Sequence, residues 1–326
     1  MSSAAERLGE LGRALGGMRW VQGPGGNVSI KEGGKEGGDL LVKASGVRLA
    51  DVGSAFARVP LADARLATAG DPAADARTFA VTPRPSLETY FHAIGDVVVA
   101  HTHATGVLLS ACATAPLSDL GVPRVPYARP GRGIALAVEP LLEGRADADG
   151  TRAVVLESHG LIVYAPSVEA AVARTIAIDD AARAPFGAPP DLDAALADVC
   201  RAPEIAIEGG VARALPDRAP PPASGPRYLF PDAVVYASVV SVDLATPDAA
   251  ARAVAALPRP AVLVDGRGRR LVAAKKSLQL AYAVEVALAH DWVEDALAAR
   301  GLARYLPDDE PAKILDLPSE QYRIRL

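Results

Sequence analysis

The feature that most limits how this chain can fold is a proline cluster about two-thirds of the way along it. Pro203, Pro216, Pro220, Pro221, Pro222 and Pro226, with Gly225, fall between Ala202 and Arg227. Each proline locks φ and removes a backbone donor, so the stretch opposes both helix and central strand. It predicts a linker, residues 203–227, between folded regions 1–202 and 228–326. A chain of 326 residues is long enough for two such domains, each with its own core.

On the N-terminal side, apolar runs alternate with helical patterns. Leu40 to Ala44, Thr78 to Thr82, Val97 to His103, Ala153 to Glu157 and Leu161 to Tyr164 read as strands. Ser86 to Ile94, Gly106 to Ala113 and Val168 to Ala182 read as helices, and Met1 to Trp20 reads as an amphipathic helix rather than a signal peptide. After the proline cluster come a strand pattern over Val234 to Val240 and a helix from about Asp248 to Leu257. A hairpin at Asp265-Gly266-Arg267-Gly268 follows, joining Ala261 to Val264 with Leu271 to Ala274, and then a long helix ending near Gly301. Both regions are of α/β type, the second smaller.

Composition narrows the partners. The net charge is −5, and no Lys/Arg cluster of the kind that holds a phosphate backbone occurs, so nucleic acid is not expected. No apolar stretch approaches the roughly 20 residues of a bilayer span, so no membrane partner is expected either. Cys112 and Cys200 stand alone in alanine-rich surroundings, which predicts two small buried thiols and suits a reducing cytoplasm. A small-molecule substrate is the default partner.

The chain has five histidines, and two of them form His101-Thr102-His103 at the end of a strand-like run. The period of two turns both imidazoles to one face. The pair alone suits a metal site and suits hydrogen-bonded core histidines equally well. His159 follows Ser158 and precedes Gly160 between two strand-like runs; three imidazoles would leave a fourth coordination position open, as a catalytic zinc requires. In Pro85-Ser86-Leu87-Glu88, Ser86 can cap a helix, and Glu88 lies four residues before His92 on the same face. Glu88 reads either as an ordinary first-turn acid or as a functional carboxylate. Gly23-Pro24-Gly25-Gly26-Asn27-Val28-Ser29 is either a plain glycine turn or a cradle of N–H groups for an oxyanion, and it lacks both nucleotide-binding glycine patterns.

Taken in order, Gly25-Gly26-Asn27-Val28-Ser29, Lys43-Ala44-Ser45-Gly46, Pro85-Ser86-Leu87-Glu88, His101-Thr102-His103, Pro126-Tyr127-Ala128 and Ser158-His159-Gly160-Leu161 resemble the motif series of the class II aldolase/adducin family over about residues 5 to 200. The resemblance implies a three-layer α/β/α fold with a central, mostly antiparallel sheet, and a homotetramer with sites between subunits. It implies Zn²⁺ or another divalent metal on His101, His103 and His159. Glu88 becomes the general base and an occasional ligand, and Tyr127 a proton donor reaching in from a neighbouring subunit. Gly26, Asn27, Ser45, Gly46 and Ser86 become substrate-binding residues. The implied activity is a metal-dependent aldehyde-lyase that cleaves a sugar phosphate or a related hydroxy-keto acid through an enediolate. A decarboxylase or an epimerase built on the same chemistry, and a non-catalytic adducin-like scaffold, are the alternatives.

Two departures bear on the substrate. Leu87 stands where sugar-phosphate aldolases of the family carry a second serine, leaving Lys31, Lys43 or Arg84 to replace that contact; and Arg129-Pro130 follows Ala128. Tyr228 to Leu326 carries no recognisable catalytic motif and resembles the extra domain of longer members, ending in Glu320-Gln321-Tyr322-Arg323. His290 there reads as structural, Lys275-Lys276 as a solvated helix start, and His92 as packing beneath the site.

Overall fold

A computed structural model of the chain describes residues 2–143, 147, 149–187, 191–222, 224–244, 247–256 and 259–325. Chain contacts separate two units, Met1–Ala188 and Pro189–Leu326. In the first, α1 (Ala4–Ala14) precedes β1 (Asn27–Glu32), β2 (Asp39–Lys43) and β3 (Phe56–Pro60). Three helices, α2 (Leu61–Ala69), α3 (Pro72–Ala80) and α4 (Thr89–Ala93), lead to β4 (Val98–Thr102). Next come α5 (Thr105–Ala111), β5 (Arg124–Val125), α6 (Arg132–Leu142), β6 (Arg152–Leu156), β7 (Gly160–Ala165) and α7 (Val168–Arg183).

These strands make one seven-stranded sheet in the order β3-β2-β1-β4-β7-β6-β5, antiparallel throughout except where β5 runs parallel to β6. The two-residue alternation assigns each side chain to a layer. Val28 and Ile30 of β1, Val98 and Ala100 of β4, and Leu161 and Val163 of β7 pack beneath α1, α5 and α7. Val99, Ile162 and Tyr164 face the opposite way, against Phe91 of α4 and Ile134 and Val138 of α6. Leu40, Val42, Ala57 and Val59 meet Leu61 and Ala64 of α2 on that same side. The result is the three-layer α/β/α arrangement with a mostly antiparallel sheet. At the N-terminus, Ser3 and Glu6 close a capping box that starts α1, and Leu8, Leu11 and Leu15 are buried.

One expected strand in this unit is a helix. Thr78 to Thr82 begins in the last turn of α3, because the Asp71 side chain accepts from the N–H groups of Ala73 and Ala74 with Pro72 in the first helical turn, and this start signal outweighs the β-branched run.

In the second unit, α8 (Leu192–Arg201), β8 (Ile205–Ile207) and β9 (Gly210–Leu215) precede α9 (Pro231–Tyr236) and β10 (Ser238–Ser241). They are followed by α10 (Pro247–Ala256), β11 (Ala261–Val264), β12 (Arg270–Ala274), α11 (Ser277–Ala298), α12 (Glu310–Leu315) and α13 (Pro318–Arg325). The strand order is β10-β11-β12-β9-β8. The hairpin of β11 and β12 lies where the Asp-Gly signal put it. The expected strand over Val234 to Val240 is split between α9 and β10, since Pro231 suits a first helical position. The helix expected to reach Leu257 is α10, and Leu257 lies outside the described residues.

The expected linker, 203–227, also holds structure. Its prolines leave 204–215 free to pair, and β8 and β9 join the second sheet there, while α8 packs on α11 and β9. The division therefore falls after Ala188 rather than after Ala202. Cys112 is buried as expected, but Cys200 lies exposed on α8, an amphipathic helix that buries Leu192 and Val199 instead. No helix among the described residues is long and apolar enough to cross a membrane.

Candidate metal and substrate site

The C-terminal end of β4 carries the histidine pair. His101 sits opposite Asn27 of β1 and Ile162 of β7, and it is fully buried. Its Nδ1 lies 2.9 Å from the Leu161 carbonyl, a partner that can only accept. That bond puts the proton on Nδ1 and leaves the lone pair on Nε2, the usual arrangement of a metal-binding imidazole. His103 Nε2 is 3.1 Å from His101 Nε2.

His159 comes from the turn between β6 and β7. Ser158, the one non-glycine residue with positive φ among the described residues, turns the chain at φ 51°, and its N–H donates to the Ala111 carbonyl at 2.9 Å. Gly160 lets the turn close on β4, since a Cβ there would stand 2.3 Å from the Thr102 carbonyl oxygen and 3.2 Å from His103 Cδ2. The ring centroids of His101 are 4.9 Å from those of His103 and His159, and the latter two are 5.3 Å apart. Gly160→Ala should therefore displace the loop of His159 and lower divalent-metal affinity roughly 10- to 100-fold, the usual cost of disturbing what orients a ligand. Competition with a chromogenic chelator would measure this, and unchanged affinity would contradict it.

Glu88 is buried beside the cluster. Its Oε1 lies 3.3 Å from His159 Nε2, and its Oε2 lies 3.6 Å from His101 Nε2 and accepts from Asn27 Nδ2 at 2.5 Å. The sequence places Glu88 in the first turn of a helix capped by Ser86; instead Glu88 is the residue just before α4, and Ser86 Oγ accepts from the Glu88 N–H at 3.2 Å. The serine thus aims the glutamate's backbone.

The expected substrate-binding residues lie on three adjoining loops. Gly26, at φ 63°, approaches the strand end so closely that a Cβ would meet the His101 carbonyl oxygen at 2.8 Å. Lys43 Nζ donates to the carbonyls of Pro24 and Val47, tying the Gly26–Asn27 loop to that of Ser45 and Gly46. Ser45 N–H donates to Arg84 O and Ser86 N–H to Lys43 O, which brings in the third loop. The Lys31 ammonium, expected as a replacement for the missing hydroxyl, is instead occupied by the carbonyls of Ile94, Gly95 and Asp96. Leu87 packs against the apolar cluster of Phe91 and Ile134. Tyr127 follows β5, half-buried. His92 packs beneath the site as expected, and burial holds it well below the usual imidazole range, with His101, Lys31 and Lys43 acting in the same direction.

The sequence matches the model of the Class II Aldolase and Adducin N-terminal domain over residues 6–185, more than half of the chain. The chain belongs to this family. Among solved structures, it is similar to the N-terminal class II aldolase domain of a conserved protein from Thermoplasma acidophilum (25% identity, 56% of this chain and 94% of that one, TM-score 0.48). It is also similar to L-fuculose-1-phosphate aldolase from Thermus thermophilus (22% identity, 56% and 92%, TM-score 0.40). A third is YgbL from Klebsiella pneumoniae, described only as an aldolase/epimerase/decarboxylase (23% identity, 56% and 88%, TM-score 0.44). No curated protein matches the chain.

Family membership supports chemistry of the aldolase, epimerase or decarboxylase type and raises the question of whether the donor set could hold a divalent metal. Among the described residues, His101, His103 and His159 each offer a ligand nitrogen, all within 4.8 Å of one another and all buried. Zinc with nitrogen arms of about 2.0–2.1 Å needs neighbouring donors roughly 3.3 Å apart, close to the His101–His103 spacing. With its own proton held on Nδ1 by the Leu161 carbonyl, His101 turns its Nε2 lone pair toward His103 Nε2 at 3.1 Å, where either a proton carried by His103 or a cation can lie between them. The residues fit the group.

Ser29 and Lys31 contact the segment that follows Glu88, and Asp179 holds the start of α5, contacts that the sequence reading does not assign. The first two carry a visible signal: Asn27-x-Ser29-x-Lys31 alternates polar residues through a strand whose other face is apolar. Asp179 carries none, being one acid among several in a helix.

Proposed function

We propose that the chain is a divalent-metal-dependent, aldolase-type lyase that cleaves a carbon–carbon bond in a sugar phosphate or a related hydroxy-keto acid, with zinc as the candidate ion. The observation that carries this reading is the Glu88 carboxylate, buried 3.3 Å from His159 and 3.6 Å from His101. A scaffold gains nothing from desolvating three imidazoles and a carboxylate at one point, a costly arrangement that a reacting centre uses.

Held on His101, His103 and His159, a divalent ion supplies Lewis-acid polarisation of a substrate carbonyl. The chain's own residues do the rest. Glu88 takes and returns the proton at the carbon beside that carbonyl, and Asn27, donating to its Oε2, keeps the other oxygen turned toward the site. The loops of Gly26, Asn27, Ser45, Gly46 and Ser86 seat the polar end of the substrate. Tyr127 is assigned the aldehyde oxygen, delivered across a subunit boundary in a homotetramer. A decarboxylase or epimerase would use the same residues, and identification of products separates the three.

The test is a metal-replete screen of phosphorylated and unphosphorylated ketoses and hydroxy-keto acids, following aldehyde release. His103→Ala is expected to reduce bound metal from roughly one ion per chain to a small fraction, because it removes one of three ligands, and to abolish any activity found. Retention of stoichiometric metal by that variant would remove the site assignment; a wild-type chain that takes up no divalent ion would favour the scaffold.

A further inference from the structure

β1 is buried on both faces, yet one face is polar. Asn27, Ser29 and Lys31, successive residues on that face, are at most 5% exposed. Each reaches the same segment, 88–96. Asn27 Nδ2 donates to Glu88; Ser29 Oγ is 2.8 Å from His92 Nδ1; Lys31 Nζ donates to the carbonyls of Ile94 at 2.7 Å, Gly95 at 3.4 Å and Asp96 at 2.5 Å. Strand and segment run alongside one another, rung by rung, from the histidine cluster to the far end of the sheet. His92 is fully buried, and among the described residues its Nε2 has no hydrogen-bond partner, so Ser29 at Nδ1 is the ring's one polar tie.

We propose that Ser29 and Lys31 are positioning residues for Glu88: with Asn27 they form a ladder that fixes the register of segment 88–96 on β1 and so sets the carboxylate beside the imidazoles. The three histidines sit on β4, just beyond it and on the β6–β7 turn, none of them on that segment. The ladder therefore governs the base and not the metal. An apolar strand face would hold the segment by packing alone, which is non-directional and tolerates sliding, whereas buried hydrogen bonds admit one register. α4 has five residues, too few to hold its own place without such contacts. The ammonium of Lys31 is the outermost rung. Arg65 from α2, Lys35 from the loop after β1, and Asp96 face it; burial pushes it down to about 7, with Arg65 and Lys35 acting with burial and Asp96 against it.

The part concerning catalysis rests on the reading of Glu88 as the base, and the experiment separates the two. Wild type, Ser29→Ala, Lys31→Met, Glu88→Gln and Ser29→Ala/Glu88→Gln are compared in zinc affinity and in amide hydrogen exchange of residues 88–96. They are also compared in exchange of the α-protons of dihydroxyacetone phosphate, the ketone half of a ketose 1-phosphate, in D₂O. Ser29→Ala should speed amide exchange across 88–96 at least tenfold, with α5 and β7 unchanged, and leave zinc affinity within about threefold. It should lower the maximal α-proton exchange rate about tenfold at unchanged KM and have no further effect in the Glu88→Gln background, since residues that act as one unit are not additive. Lys31→Met should give the same pattern centred on 94–96; if it fails to fold, Ser29→Ala decides alone. Unchanged amide exchange in Ser29→Ala, a zinc affinity that falls with it, or losses that multiply in the double variant would overturn the ladder. A wild-type chain inert toward dihydroxyacetone phosphate would count against the lyase reading, and amide exchange and zinc affinity would still decide the ladder.

Discussion

Glu88→Gln is expected to lower turnover roughly 10²- to 10⁴-fold, the usual contribution of a general base held at hydrogen-bond distance, while the protein keeps its metal and its fold. Glutamine matches glutamate in shape, and its amide oxygen still accepts from Asn27 Nδ2, now 2.5 Å from the carboxylate. It cannot take a proton at neutral pH. Metal should remain because the three imidazoles come from β4, the residue just past it and the β6–β7 turn, none of which depends on the side chain at 88. The pairing of a large loss in rate with retained metal is what separates a base from a ligand. The measurement is aldehyde release from whichever substrate the screen identifies, with metal content read by elemental analysis of the same sample. Full activity in Glu88→Gln would remove the mechanism, and loss of metal along with activity would reassign Glu88 as an essential ligand.

The parts of this site that are legible in the sequence are those fixed by local periodicity or by the family motifs. His101-Thr102-His103 stands out as an apolar run ending in two alternating imidazoles, and β4 carries His101 with His103 one residue past its end. His159 needs the family pattern, since nothing local says that a turn 56 residues later returns to the same strand end; Gly160 is the physical reason that it does. Glu88 is expected on the right element but one step off. The helix signal of Ser86 reads as a side-chain cap, whereas the real α4 starts at Thr89 and Ser86 holds the Glu88 N–H. The expected linker fails for a similar reason. Proline density is an average over 203–227, while strand formation depends on the proline-free stretch 204–215 having a partner, β12, that is distant in sequence. Pairing between remote strands leaves no mark on either one alone.

Asp179→Ala is expected to destabilise the protein by about 3–5 kcal/mol, the usual cost of removing one partner from a buried ion pair. The side chain of Asp179, on α7, is fully buried, and it accepts from Arg19 Nε at 2.8 Å, from Arg183 Nη2 at 2.5 Å and from the Val107 N–H at 3.1 Å. Arg19 and Arg183, with side chains 34% and 11% exposed, would keep only Asp180, a 58% exposed acid 2.5 Å from Arg19 and 3.1 Å from Arg183, so the lost buried carboxylate is replaced poorly, above all at Arg183. The same acid holds the start of α5, the helix that follows His103 almost directly. Arg19 adds to this, since its carbonyl accepts from the Thr105 N–H at 2.9 Å, and Gly106 packs so closely on Asp179 that a Cβ would meet its carboxylate oxygen at 2.5 Å. Loss of Asp179 thus reaches the metal site through His103, whereas loss of Glu88 stays within it. Asp179→Asn separates charge from shape: the amide oxygen can still accept from Val107, but the arginines are left with Asp180 alone as counter-ion, so an intermediate loss of stability is expected. Denaturant unfolding of the three proteins, with zinc affinity measured alongside, checks both halves. A change in midpoint worth less than about 1 kcal/mol for Asp179→Ala, the scale of an exposed ion pair, would show that this network contributes no more than a surface salt bridge.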